Sequence, residues 1–84
     1  MKMFDDLVFH TDHLDITRAR MDFGEYTLSV IRESGKKLYE FAVFHGGEFV
    51  QLPGITDEDD VTPYQTEDDV STAMKKLYFM TGGE

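Results

Sequence analysis

The chain has 84 residues, with seven Phe, four Tyr and no Cys, and its formal net charge is −9. This length allows one domain, and large aromatic rings can supply much of its core. The composition excludes disulfides and thiolate metal sites and contains no apolar run long enough for a membrane-spanning helix. Its acidity argues against direct binding to nucleic acid or to an anionic membrane.

The N-terminal half alternates apolar and polar residues, which is typical of β-strands. A first strand is predicted around Leu7–His10. The alternation is clear over Arg18–Phe23 and again from Tyr26 to Val30. Gly24-Glu25 lies between these two runs and is suited to a two-residue hairpin turn. The sequence therefore predicts an antiparallel pair here.

Two further strands are predicted in the middle of the chain. Glu33–Lys36 forms a second turn, and the aromatic and β-branched residues of Leu38–Phe44 form the next strand. Gly46-Gly47 predicts a tight hairpin, because both glycines tolerate positive φ. A strand over Phe49–Leu52 completes it. The long acidic connection from Pro53 to Gln65 is predicted to be a loop, of a length that is often functional or mobile.

A helix is predicted at the C-terminal end. Thr66 is a suitable N-cap, and acidic residues in the following turn favour the positive end of a helix. Apolar residues then recur at helical spacing, and Gly82 is suited to the C-cap. The members of this apolar stripe are Val70, Ala73, Met74, Leu77 and Tyr78.

Together these elements predict an α+β fold. It is an antiparallel meander of four to five strands with one C-terminal helix packed on one face of the sheet. We expect a single domain over residues 1–81 and a frayed tail over residues 82–84.

The negative charge is concentrated in one stretch. Residues 38–74 contain nine acidic residues and no Lys or Arg. Seven of the nine form two groups, which we name the acidic run (Asp57, Glu58, Asp59 and Asp60) and the helix start (Glu67, Asp68 and Asp69). Two interpretations stay open: a patch that docks on a basic partner, or a solvated face with ordinary helix-capping acids. The acidic run does not fit an EF-hand loop, because the expected Gly and Glu positions are occupied by Thr62 and Asp68.

One cluster has residue types that bind metals. His10, Asp12 and His13 are weak candidates for a divalent metal site, which needs three or four convergent ligands. The alternative interpretation is a polar turn after the first strand. No nucleophile motif and no phosphate-binding glycine loop is present. We therefore predict no catalytic residue and no cofactor.

Three stretches give the chain a resemblance to a group of phage proteins. They are Met21–Val30, Tyr39–Val43 and Asp60–Val70. They are similar to the patterns F-D-N-G-Y-G-V-S-V, Y-E-x-A-V and D-V-x-x-Y-x-T-x-x-x-V of small uncharacterised accessory proteins of tailed bacteriophages. These motifs consist of turn and cap residues, so the resemblance implies a fold and an origin but no catalytic role.

The resemblance implies a non-catalytic protein that acts in the cytoplasm of an infected bacterial host. There it would inhibit a host or defence protein by docking on a basic surface and mimicking nucleic-acid charge, in the manner of an anti-CRISPR protein. The alternative is a self-assembling or virion-associated structural protein, and the oligomeric state, including a homodimer, stays open. Some aromatic residues could add contacts to a partner or belong to the core: Phe44, Phe49, Tyr64 and Phe79.

Overall fold

The computed structural model describes residues 1–83 and shows a six-stranded antiparallel sheet with one α-helix. The strands are β1 (His10–Thr11), β2 (Thr17–Phe23), β3 (Tyr26–Arg32), β4 (Tyr39–His45), β5 (Glu48–Val50) and β6 (Thr62–Gln65), and the helix is α1 (Glu67–Met80). The order β1-β2-β3-β4-β5 is a meander, and β6 also pairs with β4. The predicted α+β fold is confirmed, with a sixth strand added.

Glycines set the tight hairpins of the meander. Phe23 pairs with Tyr26, so the turn between β2 and β3 has two residues, and Gly24 has φ +59°. Gly46 and Gly47, between β4 and β5, have φ +60° and +83°. Two-residue turns with positive φ have a backbone twist that matches the right-handed twist of the flanking strands. Positive φ is strained for residues with a Cβ atom, so glycine is favoured there. The glycine pattern therefore favours the register of two strand pairs, β2 with β3 and β4 with β5.

The sixth strand lies where the sequence predicts a loop. β5 and β6 pair with the same edge of β4, with Val50 opposite Val43 and Thr62 opposite Phe41. The Val50 register would place residue 52 opposite Phe41, so residues 52–61 form an excursion from an otherwise continuous edge strand. We name this segment the edge loop. The prediction of a loop up to Gln65 was wrong, because Pro63, which lacks an N–H group, is tolerated on an edge strand.

The strand predicted around Leu7–His10 was also misplaced. Phe4–Asp6 forms a 3₁₀ turn, and β1 has only two residues, His10 and Thr11. Leu7 lies in the core, and the Phe9 ring packs 5.4 Å from Phe4. Because these side chains pack in or against the core, residues 4–9 do not extend as an edge strand.

The helix begins at the predicted cap, but its C-cap is Thr81 instead of Gly82. Four of the five residues of the predicted stripe are buried, and the fifth, Tyr78, is half-buried. Thr66 caps the N-terminus, and the helix ends at Met80. Beyond it Gly82 and Gly83, which belong to the predicted frayed tail, donate hydrogen bonds to the carbonyls of Phe79 and Tyr78. Glu84 lies outside the described residues. The helix stripe and the inner face of the sheet form one core, whose largest fully buried side chains are Phe23, Phe41, Leu28, Met74, Leu77, Val30, Val43 and Val70.

Candidate functional site

The first half of the edge loop is held against the body of the protein. The Leu52 carbonyl accepts hydrogen bonds from the amides of Ile55 and Thr56, both at 2.9 Å. Lys76 of α1 donates from its Nζ to the Gly54 carbonyl at 2.7 Å. Leu52 and Ile55 also pack against the core. These contacts give the loop a defined path over the β4 edge towards the helix.

The second half of the edge loop is the acidic run, and it faces solvent. All four of its residues are exposed. The backbone N–H of Asp57 donates to Thr62 Oγ1 at 2.9 Å, which fixes where the run begins. Within residues 1–83 no carboxylate of the run forms an ion pair or accepts a hydrogen bond. Their charge is therefore compensated by solvent and counterions alone.

The helix start is exposed as well, but one of its acids has a structural role. Asp69 Oδ2 accepts a hydrogen bond from the Thr66 amide at 2.9 Å, and the Asp69 amide donates to Thr66 Oγ1 at 3.1 Å. This reciprocal pair is a capping box. Glu67 and Asp68 have no such contact and form no ion pair within the described range. They are the members of this group with side chains available to a partner.

Strand β6 joins the two acidic groups. Val61 separates its four residues, Thr62–Gln65, from the acidic run, and Thr66 separates them from the helix start. At about 3.3 Å per residue the strand itself spans roughly 13 Å, with one acidic group beyond each of its ends. Both groups therefore lie along one margin of the sheet, which we name the acidic edge (Asp57–Asp60 and Glu67–Asp69). Seven exposed carboxylates without a cationic partner in residues 1–83 give this margin a strong negative potential.

Tyr64 lies between the two acidic groups in an unusual conformation. Its φ is +61°, although it is not glycine, and its side chain is 80 % exposed. It lies where the register shifts between the Tyr39 and Phe41 pairings, which marks a β-bulge. Left-handed φ is unfavourable for a residue with a Cβ atom by about 1–2 kcal/mol. A large aromatic ring is thus held in solvent, in a strained backbone, at the centre of the acidic edge. Sequence reasoning named Tyr64 as an aromatic contact but did not predict the strain, which depends on the bulge.

We expect Tyr64→Gly to leave the free energy of unfolding unchanged or to raise it by up to about 1 kcal/mol, because glycine adopts positive φ without strain. Tyr64→Val, with a β-branched side chain in the same conformation, should lower it by about 1 kcal/mol. Urea denaturation of both variants measures the difference. A Tyr64→Gly protein less stable than the original chain would show that the ring contributes to the fold.

The candidate metal ligands instead form a turn. Asp12 Oδ1 accepts hydrogen bonds from the amides of Leu14 (2.9 Å) and Ile16 (3.1 Å), and Asp12 Oδ2 pairs with Arg18 Nε at 3.3 Å. His10 lies opposite Arg18 in the β1–β2 register. In residues 1–83 no group of three or more His, Cys, Asp or Glu side chains is arranged to hold a metal ion. The polar-turn interpretation of His10, Asp12 and His13 is the one the geometry fits.

The same contacts shift the titration of Asp12. The hydrogen bond from the Ile16 amide is the main reason that the pKa of this carboxyl lies below its ordinary value. Partial desolvation opposes the shift, whereas the Leu14 amide and the Arg18 guanidinium add to it. Asp12 thus stays ionised as the organiser of the turn between β1 and β2.

No family model, curated protein or solved structure matches this chain. The similarity to phage accessory proteins therefore stays a prediction. Among the described residues, no helix has both the length and the apolar character needed to cross a bilayer.

Proposed function

We propose that this chain is a small non-catalytic binding protein whose acidic edge docks on a basic surface of a bacterial host or defence protein. The observation that supports this proposal is the exposure of all seven carboxylates with no ion pair to any of them within residues 1–83. Carboxylates that serve only the fold are commonly hydrogen-bonded or paired, as Asp12 and Asp69 are. The other six carboxylates of the acidic edge are available to form ion pairs with a partner.

The partner that fits this surface is a protein with a groove rich in Lys and Arg, of the kind that holds nucleic-acid phosphates. A row of carboxylates along one margin can occupy such a groove in place of phosphates, and it would thereby inhibit the partner. Opposite potentials steer such an encounter and make its rate fall with ionic strength. Together with the resemblance to phage proteins, this charge pattern supports the proposal that the chain acts as an anti-defence inhibitor in the cytoplasm of an infected bacterium.

Tyr64 gives the proposed interface an aromatic contact. Tyrosine is enriched among the residues that dominate binding energy, and it is most effective where the surrounding contacts exclude water. Its φ is strained although the side chain is 80 % exposed and only lines a surface concavity beside Leu38 and Pro63. Strain of this kind is often found at functional positions. We therefore expect Tyr64→Gly to weaken partner binding while it preserves or raises stability.

The test is a pull-down with tagged protein from nuclease-treated bacterial lysate, eluted with a salt gradient. One stoichiometric nucleic-acid-handling protein, released as salt rises, is the expected result. Triple charge reversal in the acidic run (Asp57→Lys, Glu58→Lys and Asp59→Lys) should abolish its capture. Asp69 is left unchanged, because its reversal would remove the helix cap as well.

The matched control has the same change in net charge at other exposed acids: Asp5→Lys, Glu33→Lys and Glu48→Lys. This variant should still capture the partner, and circular dichroism should show both variants folded. Equal loss of capture in both variants would mean that only the overall charge matters. Unchanged capture after reversal of the acidic run would overturn the proposal.

A further inference from the structure

The face of the sheet opposite the helix is uncovered in the described chain. Side chains alternate along each strand, and those that point away from α1 form rows across the sheet. Three such rows are Arg18, Ile31 and Glu40; Arg20, Ser29 and Ala42; and Asp22, Thr27, Phe44 and Phe49. We name this surface the open face.

The middle of the open face is apolar. The rings of Phe44 and Phe49 pack with their centres 4.5 Å apart, and Phe49 is 48 % exposed. Val61, the last residue of the edge loop, is 37 % exposed and lines the same concavity as both rings. Ile31, Phe41 and Ala42 also line it, and its polar lining residues are Arg18, Ser29 and Glu40. An apolar, concave patch rimmed by charges is typical of a protein–protein contact surface.

The two margins of the open face carry opposite charge. On β2, Arg20 reaches across the sheet, and its guanidinium carbon lies 5.3 Å from the centre of the Phe44 ring. Arg18 lies on the same margin and is exposed, although it also pairs with Asp12. On the far margin the acidic run ends at Asp60, directly before Val61. Asp22 also lies on the β2 margin of this face. With two arginines against one acid, the β2 margin is net basic, whereas the edge-loop margin is acidic.

We propose that a second copy of this chain covers the open face, in a symmetric dimer whose two-fold axis runs parallel to the strands. In an isologous interface the same patch contacts itself. A two-fold axis parallel to the strands places the β2 margin of each copy over the edge-loop margin of the other, so that Arg20 faces the end of the partner copy's acidic run. An in-plane axis perpendicular to the strands would place arginine over arginine. Because the two margins of the open face are complementary in charge, a second copy of the chain can cover it. The same complementarity favours the two-fold axis parallel to the strands.

The size of the face indicates a reversible dimer. Four strands at about 4.8 Å spacing and seven residues at about 3.4 Å rise cover roughly 19 by 24 Å. This is below the roughly 800 Å² per partner of a standard stable interface. We therefore expect exchange between monomer and dimer in the micromolar range. The dimer uses only the Asp60 end of the acidic edge, and it does not depend on the proposed function.

Sedimentation equilibrium of the purified protein across the micromolar range tests the dimer. The mass should rise from that of the monomer to twice that value. Phe49→Lys should raise the dissociation constant at least about tenfold, as expected for loss of a central aromatic contact. The matched control is Phe79→Lys, since Phe79 is 62 % exposed but lies on the helix. A monomer at every concentration, or equal effects of the two variants, would overturn the proposal.

Charge exchange tests the orientation. Arg20→Glu and Asp60→Lys should each weaken the dimer several-fold at low salt, and the double variant should recover the original constant to within about twofold. If the double variant dimerises with a higher dissociation constant than either single variant, the strand-parallel axis is ruled out. Phe49→Lys and Arg20→Glu leave the acidic edge intact, so their capture of the host partner reports on the proposed function separately.

Discussion

Phe41→Ala is expected to lower the free energy of unfolding by about 3–5 kcal/mol. Phe41 is 1 % exposed and lies at the centre of β4, the strand that pairs with β3, β5 and β6. On the helix side its ring belongs to the same buried cluster as Met74 and Leu77. Alanine would leave a cavity where the sheet and helix meet. In a domain with a total stability of about 5–15 kcal/mol, this change removes a large share of the total.

Urea denaturation with linear extrapolation measures the effect. The matched control is Phe79→Ala, which removes the same atoms from a ring that is 62 % exposed. Its free energy of unfolding should stay within about 0.5 kcal/mol of that of the original chain. Similar losses for the two variants would contradict the position of Phe41 at the centre of the core.

Deletion of the edge loop is expected to leave a folded protein that no longer captures its partner. Removal of residues 52–61 joins Gln51 to Thr62. Val50 can then stay opposite Val43 while Thr62 stays opposite Phe41, so β5 and β6 become one continuous strand in the same register. The half-buried contacts of Leu52 and Ile55 are lost, whereas a shorter connection is entropically easier to close. The net expected loss of stability is about 1–3 kcal/mol.

The deletion also removes the acidic run and should therefore abolish binding to the basic partner. Circular dichroism and amide hydrogen exchange of β4 report on the fold, and the pull-down reports on binding. In the matched control the loop is kept and its charges are removed, with Asp57, Glu58, Asp59 and Asp60 replaced by the corresponding amides. This control should lose binding at nearly unchanged stability. An unfolded deletion variant would show that the loop is part of the folding core, and retained binding would exclude the acidic run as the contact.

Local sequence patterns were sufficient for the meander and the helix. Gly24 and Gly46-Gly47 predicted the hairpins because few other residues adopt positive φ without strain. Thr66 and the apolar spacing after it predicted α1, whose four buried residues all belong to the predicted stripe. In each case the signal lies within a few residues of the element that it specifies.

Long-range pairing produced the differences from prediction. β6 contains Pro63 and a left-handed Tyr64, both of which argue locally against a strand. It forms because the β4 edge beside Phe41 offers unpaired backbone groups and Thr62 fills a buried position there. The roles of individual acids were missed for a different reason, since their contacts are local: Asp69 bonds to Thr66, and Asp12 to Leu14 and Ile16. Capping by Asp69 and the turn around Asp12 depend on the direction of each side chain.

The charge, the periodicity and the turn residues of the chain are local properties. They determined an α+β meander, a C-terminal helix and an acidic stretch. The tertiary structure decided which of those acids are free, that they lie along one margin on either side of Tyr64, and that an apolar face with oppositely charged margins stays uncovered. These features arise from contacts between residues far apart in the chain. The free energy of those contacts depends on how the elements pack and on the register of the strands, and no single segment of the sequence determines either.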